Sequence, residues 1–394
     1  MNIAKGKPIQ KVDTLLNADA VEWCPYSGLQ DVLLCGTYKL LESPPVDHVN
    51  PESPVSSSVS DSELEASNTM PALGTAQVRV GGVTAYKLQF SDAGQAHLKE
   101  CSHMSTCGVL DIKWLEAAVV DRFIYGIVDA EGQFQMFQLE EENVTSKFLA
   151  KGRLSESSLG LSLSWADHFQ GSPLVTASDS AGCVTVFQIG DDVSTVSSWK
   201  AHDYEAWITA FHKSDHSLVF SGGDDCKLKC WDLRNTSRST FCSNRHTMGV
   251  CSIQSHPFNE HLFASGSYDE DVIIWDRRKL KQPLSSSSLG GGVWRIKWDP
   301  ISGSHILTAT MYNGTHIVAC SDLGQSCLPI VGQYDDHNLA YGADWCRLRP
   351  DGSSPGCSEP CNKNSCTSFD GQKDSFLIST CSFYDHSLHI WEWS

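Results

Sequence analysis

A strand motif recurs seven times along the chain, and no other feature limits the possible folds so sharply. The first strand of each unit ends at or near a large apolar residue: DAVEWCP (Asp19 to Pro25), VLDIKW (Val109 to Trp114), GLSLSW (Gly160 to Trp165), AWITAF (Ala206 to Phe211), GVCSIQS (Gly249 to Ser255), VWRIKWDP (Val293 to Pro300) and AYGADW (Ala340 to Trp345). After each comes a small-residue strand such as LVFSGG or LFASGS, then a tight Gly/Asp turn and another apolar strand. In six units the turn and third strand follow directly; in the first the third strand resumes only at VTAYKLQF (Val83 to Phe90). Alternating polarity, β-branched and aromatic enrichment and evenly spaced turn residues predict short antiparallel strands and no sustained helix.

From Trp114 onward the large-apolar position falls at Trp165, Phe211, Ser255, Trp298 and Trp345, at intervals of 43 to 51 residues. One four-stranded propeller blade needs about that length. A lone blade leaves both faces of its sheet wet, whereas seven around an axis cover one another. The fold expected is all-β, a seven-bladed β-propeller spanning residues 1–394 as a single domain. The last unit stops at its third strand, IWEWS, while Pro8 to Leu16 forms a spare strand ahead of the first. That strand is expected to complete the seventh blade and close the ring, which removes the open edges.

The repeats resemble the WD-repeat family. Two units carry its signature: His202, Ser221 to Asp225 (SGGDD) and Trp231-Asp232, then His246, Ser265 to Asp269 (SGSYD) and Trp275-Asp276. Elsewhere the third-strand aromatic is Phe137 or Phe187, Val318 replaces it in the sixth unit, and Trp391-Glu392 stands in the seventh. In such repeats the His and Asp commonly hydrogen-bond through Ser or Thr to the Trp, so these residues have an architectural reading beside any catalytic one.

Two stretches fall outside the repeat. Between about 42 and 77 the chain is rich in Ser and Pro and carries six acids from Glu42 to Glu65 with no Lys or Arg, so too little apolar surface exists to offset chain entropy and a disordered loop is expected. The second, about 349–373, is a loop holding Cys357, Cys361 and Cys366, whose spacing lacks the paired CxxC form of a zinc site; no metal is expected. Sixteen cysteines are sparse for a chain of 394 residues and many lie in apolar strands, which favours reduced, buried thiols. A net charge of −18 disfavours a phosphate backbone as partner, and no apolar run approaches a membrane span. A soluble cytoplasmic protein is expected, and a monomer, since a closed ring leaves no strand edge to share.

The chain holds no GxSxG elbow, phosphate loop, HExxH or GxGxxG before a helix. His212 and His216 sit in a turn and read as a solvated loop. Loops entering the inner strands carry Glu205, Trp207, His246, Met248, Trp294, Arg295, Asn338 and Tyr341; turns after the second strands carry Asp224, Tyr268, Glu270, Tyr384 and His386. Propeller topology puts both sets on one rim, where aromatics suit a ligand or a protein partner.

The strings HDYEAWITAF, RHTMGVCSIQS, SGSYDE, GGVWRIKW, YGADW and CSFYDHSLHIWEW resemble the diphthine methyl ester hydrolases, the WD-repeat proteins of diphthamide biosynthesis. The resemblance runs through all seven units and is densest from the fourth onward. It implies a cofactor-independent carboxyl-ester hydrolase that demethylates diphthine on translation elongation factor 2. The substrate also bears a trimethylammonium, which aromatic faces hold; Trp207, Tyr268, Trp294, Tyr341 and Tyr384 are candidates for such a cage. For ester cleavage, His246 with Asp269 could serve as base, Arg295 or nearby backbone N–H groups could hold the oxyanion, and His386 and Glu205 are rim alternatives. Cys251 as nucleophile is the remotest choice. A non-catalytic scaffold for protein partners is the reading from another class.

Overall fold

The computed structural model describes residues 3–41, 78–116, 122–166, 172–324, 327–353 and 375–394. The loop expected at about 42–77 lies outside the described residues, as does the second insertion beyond its first few positions, its three cysteines included. Strands assemble into seven sheets, six of four antiparallel strands and one of five in which the added strand is parallel. Their inner strands are Asn17–Trp23, Val109–Trp114, Gly160–Ala166, Ile208–Phe211, Val250–Ser255, Arg295–Trp298 and Ala340–Trp345. Each touches the next and the seventh touches the first, so the sheets form a closed seven-bladed propeller. Among the described residues the one helical piece is a 3-10 turn at Arg277–Lys279, and no helix is long and apolar enough to cross a membrane.

The recurring large residue has a physical reason. The indole N–H groups of Trp114, Trp165, Trp298 and Trp345 donate to the backbone carbonyls of Glu22, Lys113, Gln254 and Lys297 in the preceding blade, at 3.4, 3.0, 3.2 and 2.9 Å. Ser255, the polar exception, keeps the link through its hydroxyl to the Phe211 carbonyl at 3.4 Å. The side chain one residue earlier works in the other direction: Ser164 Oγ, Gln254 Oε1 and Asp344 Oδ2 accept from the backbone N–H of Phe211, Trp298 and Trp23 in the following blade, at 3.2, 2.6 and 2.7 Å. Apolar packing is likewise divided among the blade boundaries. Between blades 4 and 5, for example, Phe220 stacks on Phe263 at 4.5 Å and Trp275 packs beside them. Burying each such ring contributes about 1.5–3 kcal/mol.

Closure uses the N-terminal segment twice. Lys7–Asp13 pairs antiparallel with Ser387–Trp393, from Lys7 opposite Glu392 to Asp13 opposite Ser387, and so supplies the fourth strand of blade 7. Just before it, Ala4–Lys5 pairs parallel with Ile330–Tyr334 in blade 6, an attachment with no counterpart in the repeat pattern. Gly6 makes the crossing between blades, where a Cβ would stand 2.5 Å from the Trp391 ring.

Candidate functional site

Counting back four residues from the large-apolar position of each blade gives Asp19, Leu110, Leu161, Trp207, Cys251, Trp294 and Tyr341. These are the heads of the inner strands, at one mouth of the central channel. At Asp19, Leu110, Leu161, Cys251 and Tyr341 the ladder skips a residue, a bulge that re-aims the side chain. The aromatics of this ring meet. Trp294 stacks on Tyr341 at 4.6 Å and stands edge-on to Trp207 at 5.6 Å and to Tyr268 at 5.8 Å. Trp207 and Tyr268 are 6.2 Å apart. Tyr384 is 63% exposed and reaches the group only through Phe383, which lies 5.2 Å from Tyr341 and 5.4 Å from Tyr384. Phe383 was not singled out from the sequence, although it lies inside CSFYDH.

Local sequence holds these rings in place. The Trp207 indole N–H donates to Asp224 Oδ1 at 3.0 Å. Tyr268 lies between two glycines: a Cβ at Gly249 would stand 3.2 Å from its ring, and one at Gly292 would stand 3.3 Å from its Cα. The rings of Tyr268 and Tyr341 are half-buried, and burial raises both phenol pKa values, so both stay neutral donors.

Beneath the rings the channel is charged. Lys113 contacts Glu22 at 2.6 Å and Asp111 at 2.8 Å, Arg295 contacts Asp111 at 3.1 Å, and Lys297 bridges Glu22 (2.5 Å) and Asp344 (3.4 Å). Burial opposes the charge of Glu22, but the two lysines outweigh it and hold the carboxyl down at about 2. Asp19 has no such lysine. Burial raises its carboxyl to about 7, with Arg295 pulling the other way and Asp111 reinforcing the rise. Sequence reasoning passed over Asp19, because a lone acid in DAVEWC shows its place only when the blades are aligned on their large-apolar positions.

His246 and Asp269 stand in the hydrogen-bond chain that the architectural reading expects. His246 Nδ1 lies 3.1 Å from both Asp269 oxygens, and Nε2 lies 2.8 Å from Ser265 Oγ, which also accepts from Trp275 Nε1 at 2.8 Å. His202, Asp225, Ser221 and Trp231 repeat the chain in blade 4 at 2.8, 2.7 and 2.8 Å. With both ring nitrogens engaged and the residue buried, His246 has no nitrogen to offer a water at the mouth. We expect His246→Ala and His202→Ala to lower stability by similar amounts, about 1–3 kcal/mol each, since each strands a buried carboxylate and hydroxyl. Melting curves of the two variants check this; a silent His246→Ala with lost activity would return that imidazole to the chemistry.

His386 sits in the blade 7 turn at φ 48°, with its backbone carbonyl accepting from Thr14 N at 2.8 Å. Glu205 is half-buried beside Trp207, and its carbonyl accepts from Asp224 N at 2.9 Å. Cys251 is fully buried with its thiol against the Val293 carbonyl at 3.1 Å, and burial pushes its pKa far up, so a thiolate nucleophile is disfavoured. His212 corrects an expectation: it is buried, not solvated, with Nε2 against the Glu260 carbonyl at 2.8 Å. Among the described residues, the group able to hold a metal is His337, Asp385 and His389, whose ligand atoms lie within 4.8 Å of one another. It occupies the His and Asp positions of blade 7, with His389 where blades 4 and 5 carry Lys229 and Ile273. Burial lowers His337 to about 3 and His389 to about 4, so both rings are neutral.

The comparisons with known proteins agree with this architecture. The WD40 family model, "WD domain, G-beta repeat", matches residues 193–232 and 237–276. A chain of the "Crystal Structure of Mitotic Checkpoint Complex" superposes with a TM-score of 0.61 at 15% identity, covering 100% of this chain and 94% of that one, a likeness of fold. "Diphthine methyltransferase" of Homo sapiens is 34% identical over 98% of this chain and 98% of its own length. "Diphthine methyltransferase homolog" of Dictyostelium discoideum is 40% identical over 72% of this chain and 76% of its own. A WD-repeat propeller whose sequence follows the human protein from end to end belongs to the diphthine methyltransferase family.

Proposed function

We propose that the channel mouth binds methylated diphthine on translation elongation factor 2, and that the protein hydrolyses its methyl ester to leave the carboxylate that is later amidated to diphthamide. The observation that carries this reading is the convergence of Trp207, Tyr268, Trp294 and Tyr341 at one rim beside a buried carboxyl and guanidinium. A quaternary ammonium donates no hydrogen bond and is held by ring faces, at about 0.5–2 kcal/mol per contact. The net charge of −18 adds long-range attraction for a cationic group. Arg295, beneath the rings, supplies positive field where the ester oxygen becomes negative. Water is the one co-reactant that hydrolysis needs.

The same rim exposes Leu15, Tyr204, Met248, Tyr312 and Tyr384, each more than half exposed, and this apolar surface suits a protein partner. It favours a macromolecular substrate and equally a scaffold, so turnover decides between them. Purified protein given elongation factor 2 with verified methylated diphthine, and no methyl donor, is expected to release methanol and reduce the factor's mass by one methylene. Binding without turnover would assign the scaffold role. Methylation of the unesterified factor from a sulfonium methyl donor would instead support the transfer chemistry that the relatives' names state.

A further inference from the structure

We infer that Asp19 is the group that takes the proton from the attacking water in this ester cleavage, an assignment that rests on the hydrolase reading above. Asp19 is the blade 1 member of the seven mouth positions and the one carboxyl among them. It is 5% exposed; the Trp294 side chain donates toward its carboxyl, while Oδ1 has no hydrogen-bond partner among the described residues. The other channel acids differ: Glu22 and Asp111 lie 2.6 and 2.8 Å from Lys113, and Asp344 accepts from Trp23 N at 2.7 Å. A buried carboxyl oxygen without a donor is costly in a purely structural role, and a water at the mouth would satisfy it. The groups that face Asp19 are Arg295 and Trp294 from blade 6, Asp111 from blade 2, Cys35 from its own blade, Cys381 and Tyr341 from blade 7, and Tyr268 from blade 5. Burial, reinforced by Asp111 and opposed by Arg295, leaves acid and carboxylate both populated near neutrality, as proton exchange at that pH requires.

The step balances without a co-reactant beyond water. The Asp19 carboxylate accepts one water proton as the water oxygen bonds to the ester carbon, and the carbonyl π pair moves onto its oxygen. When that pair returns, the bond to methoxide breaks and the Asp19 carboxylic acid gives its proton to the leaving oxygen. Methanol and a free carboxyl group result, and Asp19 is restored.

Steady-state kinetics of Asp19→Asn on the methylated factor test the assignment. Turnover is expected to fall about 100- to 10,000-fold with KM within about threefold. Wild-type kcat/KM should rise tenfold per pH unit up to about 7 and then level, whereas the residual rate of the variant should lack that ionisation and Asp19→Glu should restore part of it. The folded state holds this proton more tightly than the unfolded chain, so the carboxyl's contribution to stability is lost as pH rises through about 7. Asp19→Asn should therefore melt no lower than wild type above that pH. Should it fail to fold, infrared titration of the wild-type carboxyls decides, with a group ionising near 7 expected and its absence overturning the assignment. Asp19→Asn with wild-type turnover and an unchanged pH profile overturns the role of Asp19 and leaves the hydrolase reading intact. An inert wild-type protein on verified substrate overturns both.

Discussion

Trp294→Ala is expected to lower kcat/KM for the methylated elongation factor by about 30- to 100-fold, the equivalent of about 2–3 kcal/mol. Trp294 is the hub of the mouth, stacked on Tyr341 at 4.6 Å and in edge contact with both Trp207 and Tyr268. Its loss removes one ring face from the cation, up to about 2 kcal/mol, and frees three neighbours that each gain about 0.5–1.5 kcal/mol from packing on it. Trp294→Phe should keep much of the activity. Tyr384→Ala should cost no more than about threefold, because that ring is 63% exposed and joins the group through Phe383 alone. Kinetics on the intact factor, with thermal melts to show that each variant folds, check the ranking. Equal effects at Trp294 and Tyr384 would place the cation elsewhere on the rim.

A chain starting at Thr14 is expected to lose about 3–6 kcal/mol of stability, which for a domain of this size is a fall in Tm of about 4–7 °C. The deletion removes the Lys7–Asp13 strand with its ladder to Ser387–Trp393, the packing of Ile9 and Val12 against the cluster between blades 7 and 1, and the bridge from Ala4–Lys5 to blade 6. The remaining edge of blade 7 carries Leu388, Ile390 and Trp391, all buried in the intact ring, so self-association should accompany the loss. Calorimetry and light scattering measure the two effects. Adding the N-terminal peptide back in trans should recover part of the stability, and a truncated chain as stable as the full one would show that the ring closes without it.

How far the sequence reaches differs between frame and site, and the reason is physical. The frame is written in repeats: a Trp that must reach the preceding blade's carbonyl recurs because every boundary poses the same packing problem, so Trp114, Trp165, Trp298 and Trp345 announce themselves. The site is written in departures from the repeat, and a departure stands out only when positions are compared around the ring. Trp207, Trp294 and Tyr341 drew notice as aromatics near loops, yet their kinship with Asp19 depends on a shared offset from the large-apolar position. His246 is the reverse case. A His–Asp pair looks like acid–base machinery, but His202 and Asp225 repeat it one blade earlier, and recurrence of the same geometry is what a frame motif shows.

The double attachment of the N-terminal segment also sets an order of events during synthesis. Residues 4–13 leave the ribosome well before their partners Ile330–Tyr334 and Ser387–Trp393. This stretch must wait, unpaired, until blades 6 and 7 have been made. Early blades can gather as they appear, but the final weld waits for the seventh, and the nascent protein depends on protection from wrong partners throughout that interval.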